Sequence, residues 1–176
     1  MKKIGFIGLG IMGKPMALNM LKAGCELIVS DLNASAVEEA VKAGAISGTY
    51  SEIGKNCDVI ITVLPNGRIV QNVLFQPGGV SGTLTAGKIV CDMSSVTPDE
   101  SKTCYEKLKK IGGGFLDAPV SGGEPGAVAA TLAIMCGGDE SDFQVMKPYF
   151  DILGSSAVLI GQSGSGSMTK LANQII

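Results

Sequence analysis

The stretch "KIGFIGLGIMGKPM" constrains the chain more than any other. An apolar run of strand length, Lys3 to Gly8, passes straight into Gly8, Gly10 and Gly13 and then into a segment of helical period. There Met12, Met16, Met20 and Leu21 fall near one face, and Gly24 supplies a C-terminal stop. A strand must therefore turn into a helix within a few residues. Gly8 permits the tight turn, Gly10 leaves the backbone bare to close approach, and Gly13 lets the helix pack against the strand.

The same alternation continues along the chain. Strand-like runs "ELIVSD", "DVIITVLP", "KIVCDMSS", "GFLDAPVSGG", "TLAIMCGG" and "AVLIG" are separated by segments that read as helices. Those helices are expected from Asn33 to about Ala43, from Ser51, over Asn66–Phe75, from Thr97 to about Ile111, over Glu140–Asp151, and after the glycine-serine run Gly161–Ser167. Thr97, Pro98 and Glu100 fit N-cap, N1 and N3 of a capping box. The pattern predicts an α/β fold, Rossmann-like and doubly wound, with a mostly parallel sheet and helices on both faces. No internal repeat or linker interrupts it.

Composition removes several classes of function. Hydrophobic residues make up 45% of the 176 positions and charged ones 17%, enough for one packed core. The net charge is −2 and Arg68 is the single arginine, which argues against a nucleic-acid partner. The first apolar run is short and broken by glycines, so no signal peptide is expected, and no run reaches the length of a membrane span. Cys25, Cys57, Cys91, Cys104 and Cys136 are scattered without metal-like spacing and read as buried thiols of a reducing, cytoplasmic compartment. There is no histidine, which excludes a histidine base and His-ligated zinc; no metal site is expected.

The glycine loop sits in the context that gives GxGxxG its meaning. It follows a strand, opens a helix, and has Asp31 at the end of the next strand. Gly8, Leu9, Gly10, Ile11, Met12 and Gly13 are therefore expected to hold the pyrophosphate of a dinucleotide at a helix N-terminus. Asp31 can accept hydrogen bonds from ribose hydroxyls and would repel a 2′-phosphate. Leu32 and Asn33 follow it, with no arginine to pair such a phosphate, which favours NAD over NADP.

"GFIGLGIMGKPMALNM", "DVIITVLPN", "DMSS", "DAPVSGGEPGA" and "GSGSMTKLANQ" occur in that order. Together they resemble the β-hydroxyacid dehydrogenase family, which includes 3-hydroxyisobutyrate dehydrogenase and tartronate semialdehyde reductase, over essentially the whole chain. The resemblance implies that Leu64 and Pro65 lie against the cofactor and that Ser95 meets it near the nicotinamide. It implies that Ser121, Gly122 and Gly123 hold the substrate carboxylate. Successive amides after a strand can form such an anion nest.

The resemblance makes Lys170 the catalytic residue, giving a proton to a carbonyl as hydride arrives and taking it back in the reverse direction. The positive charge of an oxidised nicotinamide beside a buried lysine would favour the neutral amine. Asn173 lies on the same helical face and could bind substrate or orient the lysine. Ala172 stands where 6-phosphogluconate dehydrogenase typically has histidine, which argues against that activity. Imine reductases of similar fold usually lack the lysine. Glu124-Pro125 and the "KLANQ" ending look more like tartronate semialdehyde reductase than hydroxyisobutyrate dehydrogenase.

The expected substrate is thus a short hydroxy acid or aldehyde acid bearing a carboxylate. A non-catalytic NAD-binding or oligomerisation module is the rival reading, and Lys170 speaks against it. Residues 1–163 are expected to be the dinucleotide-binding domain and 164–176 the start of an interdomain helix. By resemblance, an all-helical C-terminal domain that closes the site and builds a homo-oligomer is absent from this chain. The chain alone is therefore expected to bind NAD but turn over poorly.

Overall fold

A computed structural model describes residues 2–175. β1 (Ile4–Ile7) leads into α1 (Gly13–Lys22), and β2 (Leu27–Ser30) into α2 (Ala34–Lys42). A short β3 (Ile46–Ser47) precedes α3 (Tyr50–Asn56), β4 (Val59–Thr62), α4 (Gly67–Phe75), β5 (Ile89–Asp92) and α5 (Pro98–Lys110). The second half runs β6 (Gly114–Asp117), β7 (Val120–Ser121), α6 (Gly123–Ala129), β8 (Leu132–Gly138), α7 (Glu140–Leu153), β9 (Gly154–Gly161) and α8 (Ser165–Asn173).

The strands form one sheet in the order β3-β2-β1-β4-β5-β6-β8-β7, with β9 on the far side of β8. The pairings from β3 to β6 are all parallel, β8 runs antiparallel to β6 and β7, and β9 is parallel to β8. The expected α/β architecture is thus the observed one. The strand order reverses between β1 and β4, which opens a crevice at their C-terminal ends, where such sheets bind ligands.

Alternate residues of the central strands feed two cores. Ile4, Phe6, Val59, Ile61 and Cys91 pack on one face with Met16, Met20, Phe143, Phe150 and other residues of α1, α2 and α7. Ile7, Ile60, Val90 and Phe115 pack on the other with Ile53, Val73, Leu74, Cys104 and Leu108 from α3, α4 and α5. A four-residue strand covered on both faces must be apolar throughout, which is why "IGFI" and "VIIT" show no polar alternation. All five cysteines are buried and free, as expected.

Several boundaries differ from expectation. "GFLDAPVSGG" is two strands, because Pro119 lacks an N–H for the ladder. The chain turns there, and β7 pairs with β8 instead. "GGEPGAVAA" contains α6, a helix not among those expected, in which Pro125 sits within the first turn, where its missing N–H costs nothing. α3 begins at Tyr50 rather than Ser51, because Thr49 caps it and closes a capping box with Glu52. The capping box at Thr97, Pro98 and Glu100 is present as expected. α8 ends at Asn173 with Gln174 as its C-cap, before Ile175, and Ile176 lies outside the described residues. No helix among the described residues is long and apolar enough to cross a membrane.

Candidate functional site

The glycine loop is built as its spacing requires. Gly8 has φ +100°, the left-handed region that favours glycine, and a side chain there would strike the Val63 carbonyl. A Cβ on Gly13 would collide with the Gly8 carbonyl oxygen, so the start of α1 lies hard against the end of β1. A Cβ on Gly10 would meet no atom within 4 Å, so this backbone faces open space. The amides of Gly10, Ile11 and Met12 donate to no other described residue. Bare backbone with free donors at a helix N-terminus fits a pyrophosphate.

Asp31 directly follows β2, beside this loop. Its Oδ2 accepts from the Leu9 N–H at 2.5 Å and its Oδ1 from the Asn33 N–H at 2.7 Å. The carboxylate therefore ties the loop to the start of α2 while each oxygen keeps capacity for another donor. Leu32 beside it is 96% exposed and offers nothing to an added phosphate. Leu9, Gly10 and Ile11 line a groove of about 540 Å³ shared with Asn33 and Ser35.

Past Met12 the loop opens on a second cleft of about 300 Å³. Met12, Leu64, Pro65, Ser95, Gly123 and Lys170 line it, all of them residues singled out from the sequence. Lys170 is half-buried rather than buried, because α8 lies at the rim of the sheet. The Asn173 amide reaches the Ser121 hydroxyl at 3.5 Å, joining the lysine helix to the segment expected to hold a carboxylate. Gly122 (φ +136°) and Gly123 (φ +59°) both adopt left-handed backbone, so "SGG" makes a turn that other residues resist. Gly122 and Ser121 are not among the residues lining the cleft; Gly123 is.

Three buried polar residues at this cleft, of which Ser94 lines it, were not singled out from the sequence. Thr62 donates its hydroxyl to Asp92 Oδ1 at 2.8 Å, and the Ser94 N–H reaches the same oxygen at 3.2 Å. Ser94 Oγ in turn accepts the Leu64 N–H at 2.8 Å. The cleft wall at Leu64 is thus fixed from within by Asp92. Burial pushes Asp92 up to about 6, and the nearby Asp117 carboxylate adds to this; hydrogen bonds from Ser94 and Thr62 oppose it. Its Oδ2 is buried without a partner.

Asp117, in register with Asp92 on the neighbouring strand, is also fully buried. It accepts the Gly164 N–H at 2.7 Å and the Ser167 N–H at 2.9 Å, at the start of α8. Burial raises its pKa from the ordinary value, against those two amide bonds.

The comparisons with known proteins agree with this geometry. Residues 3–161 match the family described as the NAD binding domain of 6-phosphogluconate dehydrogenase. The chain is 45% identical over 175 residues to 2-hydroxy-3-oxopropionate reductase of Escherichia coli (strain K12), covering 99% of this chain and 60% of that protein. It is 38% identical to the NAD-dependent L-serine dehydrogenase of Pseudomonas aeruginosa, covering 98% of this chain and 58% of that one. Among solved structures, Mycobacterium tuberculosis 3-hydroxyisobutyrate dehydrogenase with L-serine superposes with a TM-score of 0.94 at 32% identity, over 99% of this chain and 60% of that one. The chain spans about 60% of the length of such relatives. With a family match across nearly all of its sheet and the glycine loop, Asp31 and the Lys170 cleft in place, the chain belongs to the β-hydroxyacid dehydrogenase family and forms its NAD-binding domain.

Proposed function

We propose that this chain is the cofactor-binding part of an NAD-dependent oxidoreductase that acts on a short β-hydroxy acid, most like 2-hydroxy-3-oxopropionate (tartronate semialdehyde) reductase. The observation that carries this reading is the cleft in which Lys170 meets Met12, Leu64, Pro65, Ser95 and Gly123. Identity is also higher to the reductase, 45%, than to the 3-hydroxyisobutyrate dehydrogenases of Dictyostelium discoideum and Drosophila melanogaster, 38% and 39%.

Bound NAD supplies or accepts the hydride. Gly10, Ile11 and Met12 offer amides to its phosphates, and Asp31 accepts from ribose hydroxyls and disfavours a 2′-phosphate. Leu64 and Pro65 form an apolar wall that keeps water from the reacting carbon, and Ser95 lies beside it. Ser121 and the Gly122-Gly123 turn hold the substrate carboxylate. Lys170 Nζ holds the mobile proton: it gives it to the carbonyl oxygen in reduction and removes it from the hydroxyl in oxidation. Asn173, tied to Ser121, keeps the lysine and the carboxylate in one frame.

The test is calorimetric titration of the chain with NAD+ and NADP+, followed by turnover with tartronate semialdehyde, 3-hydroxyisobutyrate and L-serine. Tighter binding of NAD+, with weak turnover fastest on tartronate semialdehyde, is expected. Lys170→Ala should lower turnover about 10²–10⁴-fold while leaving NAD+ affinity within about twofold. An unchanged rate in Lys170→Ala would overturn the assigned chemistry.

A further inference from the structure

We propose that Asp117 is a positioning residue for Lys170, acting as the N-terminal cap of the lysine helix from another strand. The proposal rests on the cofactor cleft read above, and it concerns how that cleft is held. α8 has no cap of its own: its N-cap is Gly164, at φ +92°, which brings no side chain. The donors that a local Ser, Asp or Asn would satisfy are met by Asp117, some fifty residues earlier in the chain, through Gly164 and Ser167.

The surroundings are shaped for this contact. A Cβ on Gly166 would strike the Met135 and Asp117 carbonyls, and a Cβ on Gly137 would lie 2.8 Å from Asp117 Oδ1 and 2.9 Å from the Gly166 nitrogen. Two glycines on different elements thus let the helix start settle onto β6 and β8. Ser167 adds a buried hydroxyl contact to Ser101 of α5 at 2.9 Å. Lys170 follows Ser167 by one helical turn on the same face, so fixing the Ser167 amide fixes the root of the lysine.

The same segment reaches the substrate side of the cleft. Asp117 ends β6, Ser121 ends β7 just beyond it, and Asn173 bonds Ser121 from the far end of α8. One stretch of chain therefore grips the lysine helix at both ends, with Lys170 between the grips. Asp117 touches neither cofactor nor substrate; it sets where the amine stands.

The test uses the chain with NAD+ as the probe. Acylation of Lys170 by an N-hydroxysuccinimide ester is followed by peptide mass spectrometry, with and without NAD+, against the exposed Lys42 as internal standard. NAD+ is expected to slow labelling of Lys170 at least about fivefold at saturation. Asp117→Asn should cut that protection below about twofold and speed amide exchange at Gly164 and Ser167 about tenfold, with NAD+ affinity within about twofold of the parent.

Ser167→Pro, which removes the amide donor together with the hydroxyl at a first-turn position where a helix tolerates proline, should lose protection likewise. Ser167→Ala, which keeps the amide, should retain it. A residue that merely stabilised the fold would lower the melting temperature and leave the protection ratio unchanged. Retained protection in Asp117→Asn or Ser167→Pro overturns the proposal, as does a matching loss of NAD+ affinity or failure of both variants to fold. The readout is independent of turnover: normal protection without activity on any substrate would sink the proposed reaction and leave the positioning role standing.

Discussion

Replacing Asp92 by Asn should make the stability of the chain less dependent on pH, by an amount that the burial of Asp92 sets. The carboxyl is 1% exposed, has one oxygen with two donors and the other with none, and is pushed up to about 6 from an ordinary 3.8. Because the folded value is the higher one, the folded chain keeps a proton between those two values that the unfolded chain has released. The corresponding stability is fully present below about pH 4 and is lost as pH rises to about 6. A difference of about 2 units at 1.36 kcal/mol each gives about 3 kcal/mol. Asn cannot ionise, yet its Oδ1 can still accept from Thr62 and Ser94. Its amide donor is left without a partner, at a cost of about 1–3 kcal/mol that does not vary with pH. The quantity to measure is therefore the difference in unfolding free energy, variant minus parent, from urea melts between pH 4 and pH 8. Subtraction removes the titration of groups that the substitution leaves unchanged. The difference should climb by about 3 kcal/mol and level off above pH 7. A flat or falling difference would refute the assignment of a buried, proton-retaining Asp92.

Two substitutions in the glycine loop separate folding from binding. Gly10→Ala adds a methyl group to open space, so the melting temperature should move by no more than about 2 °C while NAD+ affinity falls about tenfold or more; equal losses in both, by calorimetry and titration, would contradict a ligand-facing Gly10. Gly13→Ala drives a methyl group into the Gly8 carbonyl, and should cost about 1–3 kcal/mol in a urea melt even without cofactor; an unaltered midpoint would show that α1 can lift off the strand freely.

What was legible in the sequence was local. The glycine loop declares itself because each glycine answers a neighbour close by, and the capping box of α5 because Thr97, Pro98 and Glu100 sit within one turn. The same signature at Thr49 and Glu52 was displaced by Ser51, an equally good cap chemically, which instead lies inside the helix. α6 was hidden because "GGEPG" is turn chemistry by composition. Pro125 is tolerated in the helix's first turn, and the chain leaves through Ala130, a non-glycine residue at φ +57° where the Ala130 and Thr131 amides close the helix on the Gly126 carbonyl. Lys170, Asn173 and Ser121 were found through their motifs, but the roles of Asp92 and Asp117 were not. Their partners lie across strands or some fifty residues away, and an aspartate at a strand end looks the same whether it faces water or a helix N-terminus.

The two aspartates also explain why the cleft can be rigid at the edge of a sheet. At the C-terminal end of a parallel sheet the strands stop and loops take over, so Leu64 stands on a connection with little pairing of its own and Lys170 on a helix that brings no side-chain cap of its own. Apolar packing could bury these loops but could not fix their register. Asp92 and Asp117, neighbours in register on β5 and β6, accept hydrogen bonds from the chain beyond the strand ends: Asp92 from Ser94, which carries Leu64, and Asp117 from the first turn of α8. Placing two carboxyl groups side by side in the interior is unfavourable: burial raises both, and the Asp117 carboxylate adds to the shift at Asp92. The cost is concentrated where the wall of the cleft and the lysine need fixed positions, which is why removing either carboxylate is expected to disturb the cleft wall or the lysine helix more than the rest of the fold.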